Sequence, residues 1–194
     1  MRIVKRMALI CLLAAIGAGC KNAAADQAEE YFGSLNDNQA KALLTIGGKP
    51  FYPGQSVFTC QMLASSNVLS LTLTDQFDGR TMISIVKNEW YAKQPVEATI
   101  KAEGQGAASL KFGKLTDRQK LIGEGYMMTN GTISLVTLDR EKMIFEIKGE
   151  AGPYSDFQAP DKLLPLEGIV ICKRPAVSFG DVSEKEVFGS THSN

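Results

Sequence analysis

Histidine is almost missing from this 194-residue sequence: the single one, His192, stands near the very end. That scarcity argues against Ser-His-Asp and Cys-His catalysis, which need an imidazole held in place as base. It argues equally against multi-histidine zinc or copper sites. No Cys-x-x-Cys pair is present, so a redox-active dithiol has no support. No glycine-rich phosphate loop precedes a helical pattern; Gly104-x-Gly106 falls between strand candidates, where a tight turn explains it. Internal repeats, low-complexity blocks and long charge runs are lacking too. Charge of one sign is also lacking: 21 Lys plus Arg balance 21 Asp plus Glu. Three of the basic residues, Arg2, Lys5 and Arg6, lie at the start, leaving 18 against 21 in the remainder. A mildly acidic body excludes nucleic acid as the expected main partner.

What is present begins at the N-terminus. Arg2, Lys5 and Arg6 precede an apolar run, Met7 to Ile16, and small residues Gly17-Ala18-Gly19 then lead into Cys20. The run is too short to span a bilayer comfortably, so export followed by cleavage is the expectation. Gly17-Ala18-Gly19-Cys20 resembles the lipobox of bacterial lipoprotein precursors, with Gly17 where an aliphatic residue usually stands. The resemblance implies a lipidated Cys20 carrying palmitate-type acyl chains, and several chains on one residue anchor firmly where one does not. Lys21, in place of an Asp after the cysteine, implies sorting to the cell outer membrane. The expected organisation is a signal peptide over 1–19, the lipidated cysteine and tether over 20–40, a β-rich domain over 41–175 and a flexible tail over 176–194.

Four cysteines then sort themselves. Cys11 leaves with the signal, Cys20 takes lipid, and Cys60 and Cys172 remain. In an oxidising compartment two remaining thiols most often join, so a Cys60–Cys172 disulfide is expected. Closing a loop on the order of 100 residues contributes roughly 4 to 5 kcal/mol in the chain-entropy picture.

Beyond the signal the apolar period is two rather than 3.6. Val96, Ala98 and Ile100 oppose Glu97, Thr99 and Lys101; Leu69, Leu71 and Leu73 oppose Ser70, Thr72 and Thr74; Met143, Phe145 and Ile147 oppose Glu146 and Lys148. Further strand candidates are 42–46, 57–63, 81–87, 109–112, 123–129, 132–139 and 168–173. Turn chemistry separates them: Gly47-Gly48, Ser65-Ser66-Asn67, the run from Asp75 to Gly79, and Asn130-Gly131, which reads as a hairpin turn. The fold class expected is all-β, a single antiparallel β-sandwich or β-barrel of about 8–10 strands.

Candidate sites are sparse. Asp75 and Asp78 offer calcium two carboxylates, although a hairpin loop explains both residues. Acids such as Glu89, Glu124 and Asp139 carry nothing that sets them apart as a catalytic pair. Trp90 and Tyr91, side by side between strands, are the candidate binding residues, because loop aromatics anchor partners well; capping one end of the core is the competing role. Met62, Met82, Met127, Met128 and Met143 suit either a soft apolar cavity or ordinary packing.

Two likenesses rest on the strands. The segments Thr45-Ile46-Gly47-Gly48-Lys49-Pro50-Phe51, Gly131-Thr132-Ile133-Ser134-Leu135 and Glu146-Ile147-Lys148-Gly149 resemble small β-rich lipoproteins of Bacteroidota, a group largely of unknown function. Phe58-Thr59-Cys60 and Ile169-Val170-Ile171-Cys172 resemble the cysteine bracket of membrane-bound lysozyme inhibitors, with Gly123-Glu124-Gly125-Tyr126 where their inhibitory loop would fall. The Ser-Gly pair of that loop is absent, so no inhibitory residue carries over. The resulting expectation is a membrane-tethered, non-catalytic binding or interaction module without cofactor. Its expected partners are a membrane through the lipid and an envelope protein, glycan or lipid ligand. The alternatives are a carrier of an apolar ligand inside a barrel and a lysozyme-inhibitor-like protein.

Overall fold

The computed structural model of the protein describes residues 28–101, 106–154 and 162–189. Cys20 and the signal lie outside them. Helix α1 occupies residues 28–34, and Ser34 Oγ donates to the Tyr31 carbonyl at its end (2.8 Å). The chain divides at Ser34, and every strand belongs to the unit that starts at Leu35. Among the described residues no helix is long and apolar enough to cross a membrane.

Eleven strands follow in order: β1 (Gln39–Ile46), β2 (Lys49–Pro50), β3 (Phe58–Ala64), β4 (Val68–Asp75), β5 (Arg80–Val86), β6 (Val96–Ile100), β7 (Ala108–Asp117), β8 (Ile122–Leu138), β9 (Lys142–Pro153), β10 (Leu164–Lys173) and β11 (Ala176–Phe179). Eight of them, β1, β3, β4, β5, β7, β8, β9 and β10, pair antiparallel in sequence order and close into a barrel where β1 meets both β3 and β10. The sheet therefore closes as a barrel rather than splitting into a sandwich. Closure is what a meander of alternating strands requires to remove its edges.

Periodicity two is visible in the burial itself. Along β3 buried and exposed residues alternate from Phe58 to Ala64, and along β6 from Val96 to Ile100. Eight staves enclose a space that side chains just fill. Leu69, Leu71, Leu73, Ile83, Ile85, Leu110, Ile133, Leu135 and Phe145 occupy it, each buried.

Three local features depart from the sequence reading. Asn130-Gly131 is not a turn: β8 runs straight through it, with a bulge between Met128 and Asn130. Gly131 uses its positive φ (133°) to bend a long strand against the facing Gly149 instead of reversing it. The reversal comes earlier, at 118–121, where Asp117 Oδ1 accepts from the Gln119 and Lys120 N–H groups (both 3.0 Å).

β6 and β7 share one stave. Ile100 pairs with Gly131 and Lys111 with Met127, so both lie along β8.

From 176 to 189 the chain forms a strand and a helix rather than a loose tail; residues 190–194 lie outside the described residues. β11 runs parallel to β3 from Ala176 opposite Gln61 to Phe179 opposite Ala64, covering the β3 edge that β1 leaves bare. Helix α2 (Glu184–Phe188) follows, opened by a Ser183–Glu186 capping box, with Val182 and Val187 buried beside it.

Candidate functional site

One mouth of the barrel gathers the chain's unusual chemistry. After β1 the chain reverses at Gly47-Gly48 (φ 57° and 75°), and β2 returns along β1 with Thr45 opposite Pro50. β3 rejoins β1 at Ala40 opposite Phe58. The segment 51–57 between them leaves the sheet as a strap across the mouth. It turns Phe51 and Tyr52 inward, where their rings stand 4.8 Å apart and nearly perpendicular. Phe51 meets Phe112 (4.9 Å) and Tyr126 (5.7 Å), and Tyr52 meets Phe58 (4.9 Å). Such edge-to-face contacts are favourable beyond the area they bury.

Polar contacts hold the strap on both sides. Lys41 Nζ donates to the carbonyls of Gly54 (2.8 Å) and Ser56 (2.7 Å). Burial lowers the Lys41 pKa from its ordinary value. Lys114 Nζ reaches the Phe51 carbonyl (2.5 Å), lies 4.6 Å from the Phe51 ring centre, and pairs with Glu124 (3.0 Å). Tyr52 Oη stands 2.7 Å from the Arg80 carbonyl, 2.8 Å from Thr81 Oγ1 and 3.3 Å from the Gly113 carbonyl.

The buried polar side chains of the described residues are Lys41, Ser56, Asp75 and Thr81. All four stand at this mouth, on or against the strap. Asp75, the last residue of β4, faces Phe58 across the β3–β4 register. Its Oδ1 accepts from the N–H groups of Phe77 (2.9 Å) and Gly79 (2.6 Å). Its Oδ2 and Ser56 Oγ are buried without a hydrogen-bond partner among the described residues. Asp78 turns the other way, to Arg118 (2.6 Å). The structure therefore does not bring the Asp75 and Asp78 carboxylates together for calcium; the hairpin explains both.

Above the mouth the β7–β8 hairpin projects as an arm. Past Gly113 on the β5 side and Tyr126 on the β9 side, its two strands pair only with each other. Its tip exposes Leu121 (77 %), held at positive φ (54°), and Ile122 (52 %). The Gly123-Glu124-Gly125-Tyr126 segment forms one side of this arm, with Glu124 engaged by Lys114.

The comparisons identify nothing similar. No family model, no curated protein and no solved structure matches this chain.

Trp90 and Tyr91 occupy the opposite end. Trp90 is 1 % exposed and donates from Nε1 to the Ser65 carbonyl (2.8 Å), so it caps the core and presents no free face to a partner. Tyr91 packs edge-on to it (5.5 Å) and stays half-buried. Partial desolvation, then Glu186, Glu89 and Asp181, push the Tyr91 phenol pKa up. Asp181 is bound to Ser66 through both its N–H (2.8 Å) and Oγ (2.6 Å), which lowers the carboxyl pKa.

Cys60 and Cys172 are free, fully buried thiols. They are not at disulfide distance, because β1 runs between their strands with Ala40 opposite Cys172. Burial and then Cys60 raise the Cys172 pKa well above its ordinary value, suppressing the thiolate. Met62, Met128 and Met143 are core fillers, whereas Met82 is exposed.

The strap has a pH signature. Burial raises the Tyr52 pKa above its ordinary 10.0, with Asp75 adding to the rise. The fold retains this proton where the unfolded chain loses it, so its contribution to stability is complete below about pH 10 and declines above that. Denaturation midpoints measured from about pH 8 to 11 should fall steeply past 10. In Tyr52→Phe they start lower, for want of the hydroxyl's bonds, and decline less. Equal slopes in both proteins would detach the alkaline loss from the strap.

Proposed function

We propose that this protein is a lipid-anchored component of the bacterial envelope, held through Cys20 at the outer membrane, whose barrel is a non-catalytic binding module. The anchor reading rests on the basic start, the short apolar run and the small residues before Cys20. The binding reading is carried by one observation: large side chains occupy the interior, while unpartnered buried polar atoms and an exposed apolar tip gather at one end. A carrier of apolar ligand would have to displace Phe51 and Tyr52 from the mouth they fill.

Mass spectrometry of the chain extracted from envelopes tests this. The expected mature mass begins at Cys20 and includes covalent acyl chains. A chain cut elsewhere, with no acyl mass, would sink the anchor. Under native conditions a dissociable lipid would favour the carrier instead. The same spectrum reads the thiols. In an oxidising compartment the Cys60–Cys172 pair is expected as a disulfide, two hydrogens below the reduced mass, which requires the sulfurs to close in past β1. A reduced mass would leave them as a buried thiol pair.

A further inference from the structure

The strap mouth holds a carboxylate oxygen that the fold itself leaves unanswered. Asp75 is 7 % exposed, and its Oδ2 lacks a partner among the described residues although Oδ1 takes two N–H groups. Ser56, 2 % exposed, leaves its Oγ unpartnered at the same mouth. The residues on either side of Ser56 are tied to the residue after Asp75. Val57 N–H donates to Gln76 Oε1 (3.0 Å), and Gln76 Nε2 donates to the Gln55 carbonyl (3.0 Å). A buried carboxylate oxygen without a partner is costly, and natural structures answer it with an ordered water or an ion.

We propose that this mouth binds a small monovalent cation, with Asp75 Oδ2 and Ser56 Oγ as ligands and the Phe58 and Tyr52 rings beside it. Charge and donor type select the class. One carboxylate and a neutral hydroxyl are hard oxygen ligands of total charge minus one, too little for a calcium site, which draws on several carboxylates. The second acid nearby, Asp78, is committed to Arg118. Among the described residues no cluster of three or more His, Cys, Asp or Glu is placed to hold a metal ion. Aromatic faces favour a cation further. Two sources share this chemistry: an alkali ion, and an ammonium group, free or at the end of a larger amine. The site shares the mouth assigned to binding above but does not depend on the anchor, so the two fail separately.

The test is thermal unfolding of the full processed chain, followed through Trp90, the single tryptophan. Salts are compared at constant ionic strength: sodium, potassium, ammonium and methylammonium chlorides against the bulky N-methylglucamine. At concentrations about tenfold above Kd, the favoured cation raises Tm by about 3–5 °C. Asp75→Asn, whose Oδ1 still accepts the two turn N–H groups, loses that rise. Ser56→Ala, which removes no existing hydrogen bond, reduces it. A rise with sodium or potassium alone assigns an alkali ion; a rise confined to the two nitrogen cations assigns an amine. Identical melting in all five salts overturns the proposal, as does an Asp75→Asn protein that responds like the parent.

Discussion

Trp90→Ala is expected to lower the melting temperature by about 6–20 °C, the span that follows from a loss of roughly 3–5 kcal/mol in a chain of this size. The indole is 1 % exposed and packs beside Tyr91, and its Nε1–H is tied to the Ser65 carbonyl of the β3–β4 turn. Truncation removes apolar burial, opens a cavity and leaves that carbonyl without the indole N–H. Tyr91→Ala removes a half-buried ring and should lose less than half as much. Circular dichroism melts of the two variants decide the matter. A Trp90→Ala protein melting within about 2 °C of the parent would return the indole to the role of surface anchor.

Gly149→Ala should be among the most damaging single-methyl additions in the barrel wall, costing about 3 kcal/mol or preventing folding altogether. Gly149 faces Gly131 across β8 and β9, beside the bulge between Met128 and Asn130. A Cβ at 149 would run into the Asn130 carbonyl oxygen and lie 2.6 Å from Met128 Cε and 2.8 Å from the Gly131 Cα. The methionine tip can move; the backbone of a paired strand cannot without breaking the ladder that closes the barrel. Gly125→Ala on the neighbouring strand β8 is the control. Its nearest contacts would be an ordinary 3.6 Å, and its cost should stay under about 1 kcal/mol. Equal urea midpoints for the two variants would show that close strand approach is not what requires glycine at 149.

These two sites differ in how far the amino-acid order announced them. Trp90 beside Tyr91 between two strands suited either a loop anchor or a core cap, and local pattern has no means of choosing. Burial depends on where Ser65 arrives in space. Asn130-Gly131 carried a strong hairpin signal because both residues tolerate positive φ. The same tolerance serves a bulge, and only the facing Gly149 reveals which use it has. The strap was missed for a related reason. Phe51 and Tyr52 follow β2 without alternation, and their place in the mouth comes from the long-range closure of β1 on β3. A signal was available in Pro53-Gly54, which breaks the approach to β3 and separates an aromatic pair from the next strand.

The sequence by itself determined that this is an antiparallel all-β domain. Period two and turn residues act through neighbours along the chain, so they are readable there. Asp75-Gln76-Phe77-Asp78-Gly79 and Ser65-Ser66-Asn67 turn where their chemistry dictates. Tertiary structure alone decided that the sheet closes as a barrel, that β11 covers the exposed edge of β3, and that Ser56 and Asp75 are both buried at the strap end of it. Each depends on which distant strands become neighbours. That choice is made by the summed packing of the whole interior, which no short stretch of sequence contains.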